Sequence, residues 1–68
     1  SELKRSFQYK KNIGRNIEIE YHNENQIIRK TFLLKSVGKN SIVVEKNNQK
    51  NDILFSDIKS AKIIVSFD

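Results

Sequence analysis

The chain contains no cysteine, so neither a disulfide nor a thiolate metal site can supplement its core. The same lack points to a reducing compartment, and a cytoplasmic location is expected on that ground. Glycine occurs only at positions 14 and 38, which excludes the glycine-rich loops that cradle phosphates in nucleotide-binding enzymes. No apolar run exceeds three residues, as in Ile63-Ile64-Val65, against the ~20 that a membrane-spanning helix requires. No membrane span is expected. Methionine is missing and position 1 is serine, so the sequence reads as a processed product or a part of something longer.

Catalytic groups are equally sparse. His22 is the only histidine. Without a thiol, its nucleophilic partners could only be hydroxyls such as Ser36, Ser41, Ser56 and Ser60, and none stands in a triad or elbow context. Glu18, Glu20 and His22 recur at spacings of two, but neighbouring side chains on one strand face diverge and more simply make an outer polar face than a metal site. No enzymatic activity, cofactor or metal is expected.

What is present is compact and basic. A chain of 68 residues makes a single domain, and one this short buries only about 60% of its unfolded surface, leaving little room for a deep cleft. The net charge of +5 is unevenly placed. Residues 1–15 hold Lys4, Arg5, Lys10, Lys11 and Arg15 against Glu2 alone, whereas the remainder is almost balanced. A concentrated positive field steers polyanions better than the same charge dispersed. The competing reading is a solvated helix face.

Ser1 fits an N-cap, Leu3 and Phe7 share one helical face, and Gly14 fits the left-handed residue that closes a helix. A helix over about 2–12 is predicted. From Ile17 the period changes to two: Ile17, Ile19 and Tyr21 alternate with Glu18, Glu20 and His22. After a turn at Asn23-Glu24-Asn25, Ile27–Val37 reads as a long strand whose alternation slips around Leu33-Leu34. A slip of that kind predicts a bulge or bend that lets one strand serve two faces. Gly38-Lys39-Asn40 turns the chain into a β-branched strand, Ser41–Glu45. Residues 46–51 read as a polar loop, Ile53-Leu54-Phe55 as a short strand, and Ser56-Asp57-Ile58 as a tight corner. Ala61, Ile63, Val65 and Phe67 alternate in the last strand. The expected fold is mainly β: a five-stranded small barrel over about 16–67, preceded by one short N-terminal α-helix.

In strand lengths and turn positions, the run from Ile17 to Val65, with the basic helix before it, resembles the Sm-like and SH3-like small barrels, among them the Hfq-type RNA chaperones of bacteria. The resemblance covers nearly the whole chain as pattern rather than identity. It implies RNA binding through the loop between the second and third strands, where Val37-Gly38-Lys39-Asn40 keeps an asparagine, Asn40. At the second family site, near Phe55-Ser56-Asp57, Asp57 stands in place of a cation or imidazole. The segments Ile17-Glu18-Ile19-Glu20-Tyr21 and Ile53-Leu54-Phe55-Ser56-Asp57-Ile58 also resemble the YolD-like family of bacteria and phages, which implies an accessory role beside DNA polymerases.

Nucleic-acid binding needs cations for phosphates and exposed rings for bases. The cations are Lys4, Arg5, Lys10, Lys11 and Arg15, helped by Lys35 and Lys39, with Arg29 on the same parity of the long strand as Lys35. Phe7, Phe32, Phe55 and Phe67 read as core by alternation, and Tyr21 joins the inward set. Tyr9, off the Leu3-Phe7 face, is the candidate for stacking on a base; its alternative is packing where the helix meets the sheet. The function expected first is RNA or DNA binding. The second is an adaptor or regulatory domain, of a larger chain or a phage-related system, that engages a protein partner or itself through an exposed strand edge around Lys62, Ile64 and Ser66.

Overall fold

A computed structural model describes residues 6–65, with side chains from Gln8 onward. A short helix α1 (Ser6–Lys10) precedes strands β1 (Asn16–Asn23), β2 (Gln26–Val37), β3 (Ser41–Lys46), β4 (Gln49–Leu54) and β5 (Ile58–Ile63). A single 3-10 turn, Phe55–Asp57, joins β4 to β5. All pairings are antiparallel, in one sheet of order β4-β3-β2-β1-β5. Hydrogen bonding therefore leaves β4 and β5 as the two edges.

β2 belongs to two ladders. Its residues from Gln26 to Leu33 pair with β1, and those from Leu33 to Val37 pair with β3. The register shifts between Leu34 and Ser36, leaving Lys35 as the extra residue. This is the slip expected from the sequence, displaced by one residue. A bulge increases local twist and bends the strand, so the two parts of β2 face different neighbours.

The core follows the alternation. Ile17, Ile19, Leu34, Ile42 and Val44 are completely buried, with Phe32, Ile53, Ala61 and Tyr9 nearly so. Each fully buried aliphatic side chain of this size contributes about 1.5–3 kcal/mol of transfer free energy. Tyr21 and Phe55 pack against this cluster as partly buried residues, in keeping with their expected inward position.

Several boundaries differ from expectation. α1 ends at Lys10 rather than Asn12, and its first expected residues, 2–5, lie outside the described ones. The Asn12 N–H donates to the Tyr9 carbonyl at 2.9 Å and its side-chain amide donates to the Gln8 carbonyl at 2.8 Å, closing the helix with a turn. Gly14 has φ +92, the positive value expected of it. Residues 46–51 are not a loop but the tip of a hairpin, in which Asn47 and Asn48 adopt φ 55 and 66. Two successive left-handed residues make the tight turn whose twist matches paired strands, and asparagine tolerates that conformation. Polar composition hid the first four residues of β4, whose only buried residue is Ile53. Phe55 begins the 3-10 turn instead of ending β4, and β5 runs from Ile58 to Ile63, short of the expected Val65, while Phe67, expected as core in the same strand, lies outside the described residues. The Ile64 N–H still donates to the Asn16 carbonyl at 2.9 Å, but Val65 is 58% exposed.

Candidate polyanion surface

The turn after α1 is bonded to the sheet at one place. The Gly14 N–H donates to the Leu34 carbonyl at 2.8 Å, and the Leu34 N–H donates to the Arg15 carbonyl at 3.0 Å. These two bonds set Arg15 beside Leu34, the residue that precedes the bulge at Lys35. Lys10, Lys11, Arg15 and Lys39 are exposed and make no ion pair among the described residues. Lys4 and Arg5, counted with them in the sequence, lie outside the described residues.

Lys35 is differently placed. Its Nζ lies 3.7 Å from Glu45 Oε1, across from β2 to β3. Arg29 and Lys62 are likewise engaged: Arg29 Nη2 donates to Glu20 Oε2 at 3.4 Å, and Lys62 Nζ lies 3.5 Å from Glu18 Oε1. Glu20 also accepts a long bond from Ser60 Oγ at 3.5 Å. Register explains both pairs, because Glu18 lies opposite Lys62, and Glu20 lies between Arg29 and Ser60. Together these side chains line a shallow cleft of about 230 Å³ on the outer face of β5-β1-β2. Its cations and carboxylates are matched one to one, so it presents no net charge to a ligand. Glu18, Glu20 and His22 form an outer polar face, and no group of three metal-ligating side chains is found among the described residues.

Tyr9 requires a correction. The residue is 3% exposed, and its ring sits 5.2 Å from that of Phe55 at a tilted interplanar angle of 60°. A ring held in the core has no free face for a base, so Tyr9 leaves the set of stacking candidates and anchors the helix instead. Burial pushes its phenol above the ordinary tyrosine pKa.

For the protein-interface residues, Ile64 is 36% exposed, Lys62 is held by Glu18, and Ser66 lies outside the described residues. Two features escaped the sequence. Alternation gave no sign that Glu45 would reach Lys35, because the bulge moves Lys35 out of simple register. Leu54, 49% exposed on an edge strand, read as part of an apolar run. No helix among the described residues is long and apolar enough to cross a membrane. No protein-family model matches the chain, and comparison with curated proteins and with solved structures found no match either.

Proposed function

We propose that this chain is a non-enzymatic module, built on an Sm/SH3-like small barrel, that binds nucleic acid through its phosphates. The observation that carries the proposal is the pair of backbone hydrogen bonds at Leu34, which fasten the basic segment after α1 to the sheet. Lys10, Lys11 and Arg15 are thereby held on a rigid support instead of a free tail, with Lys39 in the turn that follows the same strand. Fixed cations lose less conformational freedom on meeting a polyanion. The strand order β4-β3-β2-β1-β5 and the divided β2 support the barrel reading. Burial of Tyr9 favours contacts with the backbone of the nucleic acid rather than its bases.

The test is fluorescence anisotropy of labelled duplex DNA and labelled single-stranded RNA across a range of salt. Four phosphate contacts would give log affinity against log salt a slope of about −3. Reversing Lys10, Lys11 and Arg15 to glutamate should abolish binding while leaving the circular dichroism spectrum unchanged. Unaltered affinity in that variant would show that another surface is responsible.

A second reading is favoured by one observation: Ile64 and Val65, at 36% and 58% exposure, follow directly on an edge strand. In that reading the chain is an adaptor that docks against protein.

A further inference from the structure

Lys35 is the extra residue where β2 passes from one ladder to the other, and Glu45 lies opposite Leu33 on β3. The pair at 3.7 Å spans the bulge, with Glu45 the more shielded partner at 23% side-chain exposure against 40% for Lys35. On the far side of Glu45, Lys50 stands opposite it on β4. A phosphate backbone resting on Arg15 and extending over β2 toward β3 would therefore meet Lys35 and the Glu45 carboxylate together.

We propose that Glu45 sets the boundary of the polyanion surface by withholding Lys35 from phosphate and repelling phosphates that would continue onto β3. This inference rests on the polyanion reading above and refines which cations take part: Lys10, Lys11, Arg15 and Lys39 are available, whereas Lys35 is masked. Removing the carboxylate should release one further contact. The molecule contains its own comparison. Glu20 holds Arg29 at 3.4 Å in the same manner, but Arg29 lies six residues before Lys35 on β2, roughly 20 Å along a strand.

The experiment measures anisotropy of the same duplex DNA and single-stranded RNA with wild type, Glu45→Gln, Glu20→Gln and the double variant Lys35→Gln/Glu45→Gln. The two single variants change net charge identically. Release of an exposed pair predicts that Glu45→Gln binds about two- to fivefold more tightly at low salt. Its salt slope should steepen by about 0.7–0.9. Glu20→Gln should match wild type, and the double variant should lose the gain. An equal gain in Glu20→Gln would overturn the proposal by reducing it to net charge, and so would an unchanged slope in a folded Glu45→Gln. If wild type binds neither probe at low salt, the polyanion reading itself falls, which is a separate and recognisable result.

Discussion

Tyr9 joins the two ends of the chain: it comes from the helix, while Phe55, the ring it meets, comes from the turn before the last strand. Its phenol is disfavoured as an anion because burial removes the water that would solvate the charge. The folded pKa is thus raised above that of the unfolded chain, so the folded state binds the proton more tightly. Stability from this group is complete at neutral pH and is lost as pH rises beyond about 10 and through the folded pKa. In thermal melts from pH 8 to 11, wild type should lose more stability above about pH 10 than Tyr9→Phe does. Parallel curves would remove Tyr9 as the source. From sequence, the residue's aromatic character and its place near the helix end were evident. Its burial was not, since that depends on Phe55, which no local pattern brings near.

The strands divide by how strongly they announce themselves. β1 was evident because Ile17 and Ile19 enter the core at alternate positions and Tyr21 packs against it, and the bulge in β2 was evident as a break in that rhythm. β4 was recognised only at Ile53-Leu54, and its polar first part at 49–52 was not, since a strand on the edge of a sheet can be stabilised by backbone pairing with almost no apolar signal. Its hairpin rests on Asn47 and Asn48, both with positive φ. A β-branched residue does not tolerate this conformation, so Asn48→Val should destabilise the fold by about 1–2 kcal/mol. Urea denaturation would read this directly. Asn48→Gly, which removes the steric conflict altogether, should be neutral or stabilising. If valine were tolerated as well as glycine, the turn would have to be of another type. The candidate polyanion surface had a similar split: its cations could be counted from sequence, but their sorting into free and paired depends on cross-strand register.

At the scale of the molecule, the apolar and basic residues come close to one another, since the Ile64 N–H donates to the carbonyl of Asn16, the residue after Arg15, so the two functional readings are separated by substitution and not by location. Substituting Ile64→Asp tests the protein-partner reading. Sedimentation should show wild type associating and the variant monomeric, with little change in melting temperature, because Ile64 is 36% exposed. A large drop in melting temperature would instead place Ile64 in the structural core. A monomeric wild type would leave that surface without a role in self-association.

The division of β2 also has a consequence for how the sheet comes together. β1, β2, β3 and β4 form an unbroken meander, and the turns joining β1 to β2, β2 to β3 and β3 to β4 are all short. These three ladders can therefore close over little chain. The fourth joins Ile17 to Ile63, enclosing the entire meander. Loop-closure entropy grows with the length enclosed, and long-range pairings have to meet that cost before their contacts form. Among the strand pairings, the burden of non-local search falls on β5, which pairs with β1 alongside Ile17 and Ile19.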